Sequence, residues 1–511
     1  MHPPAGDKTY RALPAVRHLP YALYRADELR ALDRAALDES DLTGADLMER
    51  AGQAAYRLIR SRWSSARSLT VLCGGGNNAG DGYVVARAAV GHGDQVRVLT
   101  LVDPARLRGD ALAMAQVYRA AGGAIEPFAG LPQRTDLIVD ALLGIGLARD
   151  LEGPWLAAVQ AVNAHRAPVL ALDVPSGLDA DTGAMRGDAV RASATISFIG
   201  LKVGFFTGEG PERCGRIHFA GLEIPATTLA RVLPSARRID WRRVADRLGP
   251  RPRTAHKGTF GHVLIIGGAP GFSGAVRLAG EAALRAGAGL VSIATHPDHA
   301  RCLNLTRPEL MVHAVDTAAD LAPLLERATV VAIGPGLGQG AWGRDLWLAV
   351  VSLPRPLIVD ADALNLLAEA PAARADWVLT PHPGEAARLL GESTVQVQRD
   401  RPGAVSRLQR RYLGVVVLKG AGTLIDAGPP RPPAICSDGN PGLASGGTGD
   451  ALTGIIAALV AQGLDPDEAA SVGVCVHARA ADVAARDGER GMLAGDLIAR
   501  LRAVLDGQDR R

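Results

Sequence analysis

Three features of the 511-residue sequence predict two doubly wound α/β domains. Short apolar runs alternate with longer Ala/Arg/Leu stretches, the pattern of parallel strands covered by helices. Several of those runs close on an Asp or a glycine turn, which gathers polar residues at one end of a sheet, where open parallel sheets bind ligands. Between residues 233 and 257 the stretch LPSARRIDWRRVADRLGPRPRTAHK is rich in Arg and Pro, has no strand pattern and interrupts the alternation. Domains are therefore expected at residues 1–240 and 241–511.

The opening residues, MHPPAGDKTYRALPAVRHLP, lack the apolar core of a signal peptide, and their prolines suggest a loose arm. Residues 26–63 fit two helices broken near Thr43 and Gly44, with Asp41 or Thr43 as the cap of the second. SLTVLC is a strand, DGYVVARAAVGHG a helix and QVRVLTL the next strand; TDLIVDALLGIG and APVLALDVPSG repeat the arrangement. Past the boundary come GHVLIIGG, a long Ala/Leu/Arg helix, GLVSIAT, TVVAIGPG, RPLIVDADAL, DWVLTP and GVVVLKGAGTLI. The most hydrophobic uncharged run, residues 451–464, falls short of the roughly 20 residues that span a bilayer. It is expected to be a buried helix, and no membrane association is expected.

Composition narrows the function. With 48% apolar and 21% charged residues the chain supports sizeable cores. Its 56 basic and 53 acidic side chains are interspersed, so nucleic acid is not implied as a partner. Five scattered cysteines with no CxxC pair indicate neither a disulfide framework nor a zinc site, which fits a cytoplasmic protein.

GGGNNAGDG, residues 74–82, follows a strand and opens a helix. Its first six residues fit GxGxxA, and Asp103 follows the next strand as in a dinucleotide-binding dehydrogenase. Asn77, Asn78 and Asp81, however, put carboxamides and a carboxylate where a redox fingerprint needs bare backbone. Asp140, Asp173 and Ser176 also sit at strand ends, and such oxygens together suit a hard cation; each alone could equally be a turn or cap residue. LMERAG, GNNAGDGYVVAR, DALLGIG, DVPSGLDADTG and ISFIGLKVGFFTGEG together resemble the NAD(P)H-hydrate epimerase family over roughly residues 20–230. The resemblance implies a Rossmann-like epimerase domain. In it Asn77, Asn78, Ala79, Gly80 and Asp81, with Gly144, Ile145, Gly146, Leu147, Ala148, Arg149 and Asp150, contact the hydrated nucleotide. Asp173 lies beside its ring as the proton-transfer group, and Asn78, Asp140 and Ser176 bind potassium (K+). Ala79 stands where family loops often carry Gly. The same domain also occurs in scaffold proteins without epimerase activity.

SGGTGDALTGIIAALVAQGL, residues 445–464, surrounds Asp450 with glycines and then enters an apolar helix. N–H groups at such a helix start suit a transferring phosphoryl group; Asp450 is either a cap or a base at its rim. The loop resembles that of ribokinase-like enzymes, and no Walker A sequence occurs. HKGTFGHVLIIGG, SGAVRLAGEAALRAGAGLV, AIGPGLG, DADALN, TPHPGE and KGAGT narrow the resemblance to NAD(P)H-hydrate dehydratases over about residues 250–505. It implies that Lys419, Gly420, Ala421, Gly422, Thr423 and Gly449 hold an adenine nucleotide, ADP, with magnesium (Mg2+). Ala275, Gly336, His382 and Asp450 would face the hydrated NADH or NADPH, with Asp450 the catalytic base. His382 could instead order a turn, and Asp362 with Asn365 could cap the following helix. A small-molecule kinase joined to a nucleotide-binding scaffold is the competing expectation, and a homo-oligomer is expected.

Overall fold

The computed structural model describes residues 19–39, 42–147 and 149–507. The expected loose arm falls almost entirely outside them, as do Asp41 and Ala148. The chain forms two compact units: residues 1–205 with 209–234, and residues 206–208 with 235–511.

The first unit carries β1 (Ala22–Tyr24), β2 (Ser68–Cys73), β3 (Gln95–Thr100), β4 (Ile125–Pro127), β5 (Leu137–Ala141), β6 (Val169–Leu172), β7 (Ala194–Phe198), β8 (Leu201–Lys202) and β9 (Arg216–Ala220). Seven of them form a parallel sheet in the order β4-β3-β2-β5-β6-β7-β9; β1 and β8 pair separately in parallel. Side chains alternate across the sheet with period two. Leu69, Val71, Leu137 and Val139 join the core of one face, where helix Asn77–Gly91 packs through Tyr83, Val85 and Ala86. Leu72 and Ile138 join the other, against Ala158, Val159 and Val162 of helix Gly153–Ala164. The helices after β2 and β5 thus leave on opposite faces, and a crevice opens between the carboxyl ends of these two strands. As expected, two helices precede the sheet, Ala26–Asp38 and Gly44–Arg62; Thr43 caps the second and forms a capping box with Asp46.

The second unit carries β10 (Ala236–Ile239), β11 (His262–Ile266), β12 (Leu290–Thr295), β13 (Met311–Ala314), β14 (Val330–Ile333), β15 (Leu357–Val359), β16 (Trp377–Leu379), β17 (Val415–Leu418), β18 (Leu424–Asp426) and β19 (Ala434–Cys436). Their order is β13-β12-β11-β14-β15-β16-β17-β18-β19-β10, parallel up to β17, with β18 antiparallel to both neighbours. β10 lies inside the Arg/Pro-rich stretch that shows no strand pattern, and it pairs in parallel with β19. Both sheet faces are buried: Val263 and Ile265 share one core with helices Ser273–Ala286, Thr448–Ala461, Pro466–Ala484 and Ala494–Leu505, while Leu264 and Ile266 point oppositely and are equally inaccessible. Strand order reverses between β11 and β14, which opens the second crevice. Among the described residues no helix is long and apolar enough to cross a membrane; the run 451–464 lies mostly in the buried helix Thr448–Ala461.

That helix crosses helix Ser273–Ala286 at Gly454, where an added Cβ would lie 2.0 Å from the Ala279 carbonyl oxygen. Backbone cannot yield as a flexible side chain can. Gly454→Ala should therefore destabilise the second unit by about 1–3 kcal/mol through overpacking, measured as a lowered denaturation midpoint. An unchanged midpoint would show that the two helices separate freely.

Candidate active sites

The first crevice begins with a close approach of loops: a Cβ at Gly74 would sit 1.9 Å from the Leu142 carbonyl. Helix Asn77–Gly91 starts four residues earlier than the sequence pattern places it, so residues 77–81 are helical and cannot all face one ligand. Asn77 is exposed and Asn78 buried toward the β5 loop, whereas Ala79 is in the apolar core and Gly80 packs against Met48. Ala79 is fully inaccessible and Gly80 is buried, so neither presents a side chain to a ligand.

Asn78, Asp140 and Ser176 come together around Leu143. The Asn78 Nδ2 donates to the Leu143 carbonyl at 2.8 Å, and its Oδ1 is buried with no partner. Asp140 accepts from the Ser176 hydroxyl at 2.6 Å and from the Ser176 N–H at 2.8 Å. Burial pushes the Asp140 carboxyl up to about 6 against these bonds. An orphaned carboxamide oxygen beside a desolvated carboxylate and a carbonyl is a donor set that fits a hard cation such as potassium.

Asp173 follows β6 in a left-handed conformation with φ of 61°. Its carboxylate pairs with Lys202, whose ammonium is 1% exposed and also donates to Ser197 Oγ at 3.0 Å and to the Phe198 carbonyl at 3.3 Å. Gly144 lies between Asn78 and Asp173, its missing Cβ leaving 3.5 Å and 3.9 Å to them. Two further carboxylates feel Asp173. Asp33 is pushed up to about 6, first by burial and then by Asp173, and Asp81 well above the usual range, by burial, Asp173 and Asp33. Lys202 and Asp33 are absent from the sequence-based site; Lys202 stands within the quoted ISFIGLKVGFFTGEG, but one lysine there carries no spacing signal. Of the other expected contacts, the Ile145 carbonyl accepts from Arg30, Asp150 lies 4.0 Å from Arg186, and Gly146, Leu147 and Arg149 lie on the same loop.

In the second crevice the loops after β11 and β14 interlock. Ala269 N–H donates to the Gly336 carbonyl at 2.7 Å, and a Cβ at Gly336, where φ is 57°, would be 3.3 Å from the Ala275 Cβ. Ala275 and Gly336 are therefore neighbours. His382 caps helix Pro383–Leu390: its Nδ1 accepts from the N–H groups of Gly384 and Glu385, at 2.9 and 3.3 Å, and Glu385 returns a bond to the His382 N–H. Burial and nearby Lys419 and Arg388 lower its pKa, so the ring is neutral with one edge exposed. Asp362 does not cap its helix. The N-cap is Asp360, and Asp362 instead accepts from the Gly338 N–H at 2.9 Å, bracing the β14 loop.

Lys419, at the end of β17, joins these parts. Its Nζ donates to Asp360 Oδ1 at 2.7 Å and lies 3.9 Å from Glu385. Asp360 is 1% exposed and accepts the Thr453 hydroxyl at 2.7 Å through its other oxygen. Burial opposes the Lys419 charge, but Asp360 and Glu385 outweigh it and hold the ammonium above its ordinary range. Glu385 is itself pushed up to about 7, chiefly by burial. Gly449 stands over the ammonium, where a Cβ would be 3.3 Å from Nζ. The cap of helix Thr448–Ala461 is Gly447 rather than Asp450, and Asp450 is pushed up to about 6, first by burial and then by Asp360. The Thr448 carbonyl accepts from His477 at 2.9 Å, which fixes the loop from below. With both Asp360 oxygens taken by Lys419 and Thr453, Glu385 and Asp450 are the carboxylates left for a magnesium ion arriving with phosphates.

Comparisons with known proteins follow the same division. Residues 44–204 match the family described as YjeF-related protein N-terminus, and residues 263–502 match NAD(P)H-hydrate dehydratase. The bifunctional NAD(P)H-hydrate repair enzyme of Coxiella burnetii is 47% identical over 95% of this chain and 99% of its own. That of Escherichia coli is 46% identical over 96% and 95%. A ribokinase-like superfamily protein from Enterococcus faecalis superposes with a TM-score of 0.50 at 28% identity, over 53% of this chain and 96% of its own.

The Lys202–Asp173 pair makes one quantity measurable without any ligand. Lys202→Met strands a largely buried carboxylate and should destabilise the first unit by roughly 3–5 kcal/mol; adding Asp173→Asn should restore part of that loss. A single variant as stable as the parent would mean that the two groups do not interact.

Proposed function

The chain belongs to the family of bifunctional NAD(P)H-hydrate repair enzymes, and from that membership we propose how its two crevices divide the chemistry. It is an enzyme that returns hydrated NADH and NADPH to use: the first unit interconverts the epimers and the second dehydrates one of them. The observation that carries the assignment of roles is the placement of Asp450 at the start of a buried helix, beside Lys419 and Asp360.

The substrate bears a hydroxyl on the carbon next to the ring nitrogen, and hydroxide is a poor leaving group at neutral pH. Asp450 takes the hydroxyl proton while the oxygen attacks the β-phosphorus of ADP, forming a phosphate ester and releasing AMP. The ring nitrogen lone pair then expels phosphate, and loss of a proton from the neighbouring carbon restores the reduced ring. N–H groups of residues 447–449 and the Lys419 ammonium oppose the charge on the transferring phosphoryl group. Magnesium supplies further neutralisation when bound with the nucleotide, and Glu385 and Asp450 are the carboxylates that would face it. Lys419 to Thr423 and Gly449 hold the nucleotide; Ala275, Gly336 and the exposed edge of His382 face the hydrated ring.

In the first unit the other epimer is returned to the dehydratable form. Asp173 and Lys202 are the pair able to accept and return a proton at the ring. Potassium, when bound by Asn78, Asp140 and Ser176, supplies charge for the substrate phosphates, and Asn77, Asp81 and residues 144–150 supply the remaining contacts.

Asp450→Asn keeps the size and removes the base. Nucleotide-driven recovery of reduced cofactor should fall by roughly 10²–10⁴-fold, while re-equilibration of isolated epimers without nucleotide persists on the same sample. Run with ADP and ATP in parallel at equal magnesium, the assay also tests the donor, and faster turnover with ATP would reject ADP. Near-normal recovery would remove Asp450 from the mechanism.

Because the base works ionised and its pKa is about 6, dehydration should be pH-independent above neutrality. It should decline as pH falls through 6, by about tenfold for each further unit. A profile flat down to pH 5 would contradict the assignment, provided that the fold persists there.

A further inference from the structure

Arg401, the first residue of helix Arg401–Tyr412, is 1% exposed, and among the described residues no carboxylate offsets its charge. Every acceptor it uses is neutral. Nε donates to the Thr207 hydroxyl at 3.0 Å and Nη1 to Gln398 Oε1 at 2.8 Å. Nη2 faces three main-chain carbonyls, Leu418 at 3.4 Å, Lys419 at 3.2 Å and Gly422 at 3.4 Å. Burial alone brings its pKa down to about 10, so the group is still charged at neutral pH. A desolvated, uncompensated guanidinium is costly, and it is retained here beneath the KGAGT loop.

The glycines of that loop fit around it. A Cβ on Gly420 would lie 2.9 and 3.0 Å from the two Nη atoms, and one on Gly422 only 1.6 Å from the Phe206 carbonyl oxygen. Gly420 therefore makes room for the guanidinium and Gly422 for a passing main chain. Both have positive φ, 131° and 64°. The planar trans peptide couples the two sides of the loop: a carbonyl turned toward Arg401 turns the N–H of the same peptide the opposite way. With the Lys419 and Gly422 carbonyls drawn inward, the N–H groups of Gly420 and Thr423 face outward. The Lys419 N–H, from the Leu418 peptide, is taken by the Pro381 carbonyl at 2.9 Å.

We propose that Arg401 is a positioning residue for the adenine nucleotide, a buried cation that draws the loop carbonyls to one side and thereby presents the Gly420 and Thr423 N–H groups to the bound nucleotide. The proposal rests on the assignment of residues 419–423 to the nucleotide. Its positive charge beneath the loop also favours a polyanionic ligand over a neutral one.

The test is steady-state dehydration with Arg401→Met, Arg401→Lys and Lys419→Met, each sample also assayed for epimerisation. Arg401→Met should raise KM for ADP about tenfold or more, the worth of hydrogen bonds from a charged donor, leave KM for the hydrated cofactor near the parent value, and weaken the shift of Tm that ADP produces. Arg401→Lys, which keeps the charge but not the fork, should fall between. A lowered yield of folded protein with an unaltered KM for ADP would make Arg401 merely structural and overturn the proposal. If Arg401→Met does not fold, Arg401→Lys and Thr207→Val decide by the same change in KM. An unaltered KM for ADP in Lys419→Met would instead reject the nucleotide assignment of the loop; a raised KM there with none in the Arg401 variants rejects the role of Arg401 alone.

Discussion

When the connections from two neighbouring parallel strands leave on opposite faces of a sheet, their loops diverge and a crevice is left between the strand ends. Both units are governed by that constraint. One central strand of each main sheet, β2 or β11, takes its next neighbour in sequence on one side and a later strand on the other. The residues brought together at the two crevices, Asn78 with Asp140 and Ala275 with Gly336, are far apart in sequence and meet because of this reversal. The close glycine contacts, Gly74 on Leu142 and Gly267 on Pro335, are what allow the diverging loops to touch again at the crevice floor.

Within the crevices the dominant energetic problem is charge without water. The first unit meets it with a pair, Lys202 on Asp173, and leaves Asp33 and Asp81 to be pushed toward their protonated forms. The second shares one ammonium among Asp360, Glu385 and, at longer range, Asp450. In that arrangement Asp360 is held as the fixed partner of Lys419 and Thr453, and Asp450 is left with a pKa suited to taking a proton near neutrality. On the proposed mechanism the two carboxylates differ in role because their environments differ.

How much of this is legible in the sequence depends on how local the cause is. The central strands are, because SLTVLC or GHVLII is buried on both faces and is therefore mostly apolar. The edge strands β4, β9 and β13 are half-exposed, and their polar residues erase the pattern; β10, ARRI, is half arginine, and those arginines find partners only in the fold. Asp450, Lys419 and Asn78 are visible because each sits in a glycine-rich motif. Lys202, Asp360 and Arg401 are not, since nothing beside them in sequence marks a charge as buried; Asp362 draws attention in place of Asp360 because both stand in the same short motif. The extra helical turn at Asn77 escapes notice because NNAGDG is composed of residues that ordinarily favour turns.

The backbone at Asp173 has a consequence for how this chain tolerates mutation over generations. A left-handed position admits Gly, Asn and Asp with little penalty, and aspartate codons reach both of the others by one nucleotide change. Conformation alone would therefore let the carboxylate drift away and leave the fold intact. Lys202 opposes that drift, because each neutral replacement abandons an ammonium that is 1% exposed. The ion pair thus ties loss of the carboxylate to loss of stability, and a lineage that abandons one partner is under pressure to replace the other.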